Sequence, residues 1–254
     1  MVKLFWDRMN LRWTSEKLGE WSSINKIVYL IFPVIIYFLV GDIVEVLLWG
    51  LLNVLAKGAS EGTLEMLSRN SYTLNGLIFA AGALVSVLII KKAAISEITY
   101  AEEGEETPKL DAVKVIVLIV VGLAASIGLN YLFNLTGLNH MSESYDQVKE
   151  AQYGVNFACG IILYGVISPV VEEIIFRGIL FNRMKRIFPV KLSMVVSAVL
   201  FGLFHANLVQ GLYGFLMGLL IVYFYEKYKN FLAPLILHVV ANVGVYVLTY
   251  TIWR

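Results

Sequence analysis

The sequence predicts an all-α fold: a polytopic integral membrane bundle of about seven transmembrane helices, its N-terminus in the cytoplasm. Three observations carry this reading. Hydrophobic residues make up 59% of the 254 positions and charged residues 15%, against roughly 45–50% and about 25% in soluble domains. Long apolar segments recur along the chain. The Lys and Arg residues between them alternate in number, as expected where cytoplasmic loops carry the positive charge.

A membrane-spanning helix needs about 20 mostly apolar residues, and seven segments approach that length: 27–48, 74–90, 115–133, 157–181, 192–208, 212–225 and 233–253. Residues 43–56 make an eighth if they form a separate piece. Basic residues number five before the first segment (Lys3, Arg8, Arg12, Lys17, Lys26), then two, four (Lys91, Lys92, Lys109, Lys114), one, four (Arg183, Lys185, Arg186, Lys191), none and two, with Arg254 last. This pattern places the C-terminus outside. Backbone polar groups at membrane depth must be satisfied within the chain, so the spans are expected to be helices.

The charge balance excludes other classes. A net charge of +1 gives no basic excess for nucleic acid, and Glu102, Glu103, Glu105 and Glu106 read as an ordinary solvated loop. Cys159 is the sole cysteine; it excludes an intrachain disulfide and a cysteine-based metal site, and reads as core. The charged N-terminus lacks the layout of a cleaved signal peptide, so the first apolar segment is expected to remain.

Polarity inside the spans divides the chain into residues 1–150, with a basic segment and three apolar helices, and residues 151–254, where the polar groups gather. In the first part only Asp42 and Glu45 interrupt a span, and they are expected to reach water near the outer end of helix one. In the second, Glu172, Glu173, Arg177, His205 and His238 fall within or at the ends of apolar segments. Intramembrane charge costs roughly 2.5–3.5 kcal/mol on insertion scales, so such residues point to function by default.

The fourth span contains Ser168-Pro169-Val170-Val171-Glu172-Glu173-Ile174-Ile175-Phe176-Arg177. Pro169 cannot donate to the carbonyl of Gly165, and a bend is expected one turn before the glutamates. Glu173 and Arg177, four apart, pair as a salt bridge, leaving Glu172 about 100° around the helix to face elsewhere. The fifth span holds Phe201 and His205. The seventh holds His238 and Asn242, which share a face at i, i+4. Gly211, Gly214 and Gly218 read as small-residue helix packing. His140, in a polar loop, is set aside.

These motifs, E-E-x-x-x-R, F-x-x-x-H and H-x-x-x-N in that order, resemble the CPBP or Abi family of type II CAAX prenyl protease-like and bacteriocin-processing membrane proteins, over roughly residues 154 to 250. The resemblance implies an intramembrane endopeptidase. In it Glu172 would activate a water with help from His205, His238 and Asn242 would form the oxyanion hole, and Glu173 and Arg177 would support them. Carboxylate general bases and paired oxyanion donors are chemically reasonable in such a site. A metal-free mechanism without cofactor is favoured. Zinc held by Glu172, His205 and His238 is the alternative, although no H-E-x-x-H pair is present.

The expected partners are the lipid bilayer and a peptide or membrane-protein substrate, with prenylation undetermined. The expected location is a bacterial cytoplasmic membrane. Two rivals use the same polar cluster: a non-catalytic scaffold or immunity-type protein that binds a peptide, and a small transporter, against which stands the absence of an inverted repeat.

Overall fold

A computed structural model describes residues 22–102, 109–138 and 142–252. The basic residues Lys3, Arg8, Arg12, Lys17 and Arg254, the carboxylates Glu103, Glu105 and Glu106, and His140 lie outside the described residues, as does the end of the last predicted span at Trp253.

The described residues form helices without strands. They are α1 (Ser23–Ala56), α2 (Glu61–Arg69), α3 (Ser71–Glu102), α4 (Ala112–Leu135), α5 (Glu143–Tyr153), α6 (Phe157–Met184), α7 (Val190–Phe204), α8 (Leu208–Tyr228) and α9 (Leu232–Ile252). Six are long and apolar enough to cross a membrane, and α7 is a shorter apolar helix. The all-helical, roughly seven-span reading therefore holds. Residues 43–56 do not form a separate piece. They continue α1, a single helix of 34 residues, because no Gly-Pro or polar break follows Gly41 and the apolar run is unbroken.

Side chains capable of accepting a backbone N–H start several helices. Ser22, Ser60, Asp111, Ser142 and Asn207 each cap the helix that follows, accepting from the amides of Asn25, Thr63, Lys114, Tyr145 and Gln210, a role for which Ser, Asp and Asn are the favoured types. The Lys114 amide holds the exposed Asp111 carboxyl below its usual value. α2 and α5 are polar and have no buried residue, which suits short helices lying outside the apolar layer.

Pairs of helices approach where one lacks a side chain. A β-carbon at Gly82 would lie 2.9 Å from the carbonyl oxygen of Gly41, one at Gly122 2.8 Å from that of Leu237, and one at Gly202 2.5 Å from that of Gly211. These contacts join α1 to α3, α4 to α9 and α7 to α8. In a bilayer, helix association rests on such packing, since lipid is as apolar as leucine. The outward faces carry Val46, Leu51, Val113, Val120 and Leu203, all exposed. Asp42 is also exposed and Glu45 half-buried.

At the end of the bundle where α1 begins and α6 ends, a buried ionic cluster ties the halves together. Glu97 of α3, 1% exposed, accepts from the Tyr29 hydroxyl at 2.9 Å and from Arg183 Nε at 3.0 Å. Arg186 Nη2 lies 2.5 Å from its other oxygen. Arg183 also donates to the Tyr29 carbonyl at 2.6 Å, and Arg186 stacks over Tyr100. Removing Glu97 strands two buried guanidinium groups, an error that typically costs about 3–5 kcal/mol. Glu97→Ala is expected to lower the midpoint of thermal unfolding in detergent markedly more than Glu61→Ala, an exposed control; equal midpoints would show that the cluster does not hold the bundle.

Candidate active site

α6 is not a uniform helix. Segments Phe157–Gly160, Ser168–Glu173 and Asn182–Met184 are α-helical, and between them Ile161–Ile167 and Ile174–Phe181 are π-helical. Pro169, with no N–H, sits at the second residue of the central segment. The widened turns on either side absorb its missing bond without ending the helix. π-turns inside α-helices gather at functional sites, and the central segment holds Ser168, Glu172 and Glu173.

Glu173 and Arg177 are both 0% exposed. Arg177 Nη1 donates to Glu173 Oε1 at 2.8 Å, Nη2 donates to the Gly218 carbonyl at 3.1 Å, and the guanidinium lies 4.4 Å from the centre of the Phe201 ring. The expected salt bridge is thus present and also reaches α8. Gly218 leaves room for it: a β-carbon there would stand 3.3 Å from Arg177 Nη2.

The same Glu173 oxygen lies 2.7 Å from His238 Nδ1. An oxygen that already accepts from a guanidinium acts as acceptor again, so Nδ1 carries the proton and Nε2 faces the other way. There, Glu172 Oε2 stands at 3.7 Å, beyond hydrogen-bond length but within ionic contact. Glu172 Oε1 accepts from the Ser168 hydroxyl at 2.5 Å. The carboxylates of adjacent residues therefore flank one imidazole.

Glu172 also lines a small cavity of about 20 Å³ with Tyr37, Gly76, Tyr164, Ser168 and Phe204. A buried water requires roughly 10–15 Å³ measured this way, so the space beside the carboxylate accommodates one.

His205 and Asn242 reach the same region less directly. His205 caps the C-terminus of α7, with Nδ1 2.9 Å from the Phe201 carbonyl. Its ring meets the edge of Phe201, which also abuts His238, at centroid distances of 5.1 and 5.6 Å. A β-carbon at Gly214 would lie 3.1 Å from the His205 ring, so the smallest residue on α8 makes space for the imidazole. Asn242 Nδ2 donates to the Tyr164 carbonyl at 3.2 Å, within the first π-helical stretch. The three expected spans thus meet around Phe201, though His205 and Asn242 bond to backbone.

A straight fifth span of 17 residues would carry His205 toward the opposite membrane face from Glu172. Instead α7 has 15 residues, about 22 Å at helical rise against a hydrocarbon core of about 30 Å. It stops at Phe204, Ala206 takes a left-handed φ of 56°, and Asn207 starts α8. The short helix keeps His205 at the depth of the other polar groups.

As zinc ligands the expected donors do not fit. Among the described residues no group of three or more His, Cys, Asp or Glu side chains is arranged to hold a metal ion, and the Nδ1 of His205 is turned to its own helix. Ser168 and Tyr37 were not anticipated from the sequence. Ser168 stands four before Glu172, a readable spacing; Tyr37 comes from α1 and had no local signal.

Comparison with known proteins bears on this segment. Residues 154–244 match the family described as type II CAAX prenyl endopeptidase Rce1-like. A Bacillus subtilis (strain 168) protein named "Putative membrane peptidase YdiL" is 29% identical over 133 residues, 52% of this chain and 52% of that protein. The match thus spans about half the length of the curated relative. No solved structure matches the chain. The family resemblance drawn from the three motifs is thereby supported, and the segment 154–244, which contains Glu172, Glu173, Arg177, His205, His238 and Asn242, belongs to the Rce1-like family of type II CAAX prenyl endopeptidases.

Proposed function

We propose that this multi-pass membrane protein is an intramembrane endopeptidase that hydrolyses a peptide bond with a water activated by Glu172. The observation that carries the reading is the Glu172 carboxylate, anchored through Oε1 by Ser168 and bordering a water-sized cavity, with His238 facing its second oxygen. Family membership of the segment and the name of the Bacillus relative support peptidase chemistry.

In this mechanism the water oxygen attacks the substrate carbonyl carbon while Glu172 takes its proton. The oxyanion forms opposite His238 Nε2, protonated for the step, and Asn242, which exchanges the Tyr164 carbonyl for the new negative charge. Collapse breaks the C–N bond, and Glu172 returns the proton to the departing amine. Glu173, held by Arg177, fixes the His238 ring and stabilises its cationic form. His205 has Nε2 to offer the water or the substrate. The mechanism uses no metal, consistent with the donor arrangement.

The substrate is a peptide or a segment of another membrane protein, and the location is a bacterial cytoplasmic membrane. Removal of a general base commonly costs 10²–10⁴ in rate. Glu172→Gln is therefore expected to abolish cleavage of a quenched fluorescent peptide library by the purified protein while leaving its elution profile on size exclusion intact. Activity that persists in this variant would remove Glu172 from the mechanism.

Asn242→Ala is expected to lower kcat by about 10²-fold, with KM little altered, as loss of one oxyanion donor does. A strong zinc chelator is expected to leave wild-type turnover unchanged. Chelator inhibition reversed by added zinc would transfer the reading to a metallopeptidase. Peptide capture without turnover of any library member would favour the binding scaffold.

A further inference from the structure

Outside the site, the structure contains a second and larger hollow. At the end of the bundle opposite the Glu97 cluster, a cleft of about 400 Å³ is lined by Tyr72 of α3, Asp146, Lys149, Glu150 and Tyr153 of α5, and Thr249 of α9. This volume lies within the range of small-ligand pockets, about 300–1,000 Å³. Its walls are held in place. The Tyr72 hydroxyl donates to Glu150 Oε1 at 2.8 Å, and Tyr153 stacks on Tyr246 at 5.1 Å.

Thr249 is 4% exposed, and its Oγ1 lacks a hydrogen-bond partner. A buried hydroxyl left so in the wall of a cleft is a site for a polar ligand, because unsatisfied buried polar groups are costly. Two carboxylates stand against one ammonium group in the cleft, and two phenol rings present faces that attract cations. The chemistry favours a cationic group.

The cleft continues toward Glu172. Gly76, one turn along α3 from Tyr72, lines the inner cavity, as does Tyr164, and Tyr164 stacks at 6.4 Å on the same Tyr246 that meets Tyr153. Along α9 the cleft residue Thr249 and the site residue His238 are 11 positions apart, about 16 Å at helical rise. An extended peptide covers that in about five residues at roughly 3.3 Å each.

We infer that this cleft is a subsite for a lysine or arginine side chain of the substrate, about five residues from the bond cleaved at Glu172. The inference rests on the peptidase reading for its register, but not for binding. It gives α5, which the spans alone do not require, a part in choosing the substrate.

The test uses the full chain in detergent and 14-residue apolar peptides carrying one Lys, or Glu at the same position, read by fluorescence anisotropy and, after incubation, by mass mapping of any cut. Wild type is expected to bind the Lys peptide about five- to tenfold tighter than the Glu peptide. Asp146→Asn with Glu150→Gln is expected to erase that preference, and Lys149→Glu to enlarge it. With Lys moved along the peptide, cuts are expected to follow it at about five residues. Equal binding of both peptides by wild type, or a preference that survives the double substitution, overturns the inference, and cuts indifferent to the Lys position overturn its register. A preference that Lys149→Glu enlarges, without cleavage of any peptide, supports the cleft and sinks the peptidase reading instead.

Discussion

One carboxylate oxygen, Glu173 Oε1, is the point on which the polar core depends. It accepts from Arg177 of the same helix and from His238 of α9, and Arg177 in turn reaches the backbone of α8. Three helices are therefore linked through one buried charge pair. Such a pair is weak grounds for net stability, since desolvating both ions offsets most of their attraction. Its value is geometric: breaking it would leave an uncompensated charge among apolar helices. The imidazole is thus held in one orientation, and Glu172, the next residue, is free of that duty.

The ionic chain also explains the division of labour along α6. Its final residues and those just beyond lock to α1 and α3 through Glu97, while its centre locks to α8 and α9 through Glu173. The first two contacts come from the part of the chain preceding the family segment, so the N-terminal helices are more than a lipid-facing wrap. Tyr37 of α1 and Ala83 of α3 wall the cavity beside Glu172, and α4 packs on α9 behind His238. The site belongs to the 154–244 segment, but its enclosure is supplied by both halves.

The long apolar helices were legible because bilayer thickness imposes a minimum run of apolar residues, and the three motifs were legible because ionisable groups in such runs are conspicuous. The pairing of Glu173 with Arg177 followed from i, i+4 spacing alone. Other features have no such periodic signature. α2 and α5 carry no apolar stretch to mark them. The contact of His238 with Glu173 depends on which helices become neighbours, as do those of Glu97 with Arg183 and Arg186. The separate 43–56 piece failed because residues 43–56 are apolar enough to span yet contain nothing that ends a helix. The depth of His205 was misjudged when helices were taken as straight and full-length; the left-handed Ala206 ends α7 early. Cys159, expected in the core, packs half-buried beside Val155 and Leu163.

The two π-helical stretches of α6 have a consequence for how this helix tolerates change. Each closes some turns over one residue more than an α-helix uses, so each behaves as a single inserted residue that the fold has accommodated. A residue lost from Ile161–Ile167 would let that stretch relax to an ordinary helix, but everything beyond it would rotate by about 100° relative to the preceding turn. Glu172 would then point where another residue now does. The length of the chain before the glutamates is consequently set to the residue, and variation in this protein's relatives is expected to proceed there by substitution, with insertions and deletions confined to the loops between helices.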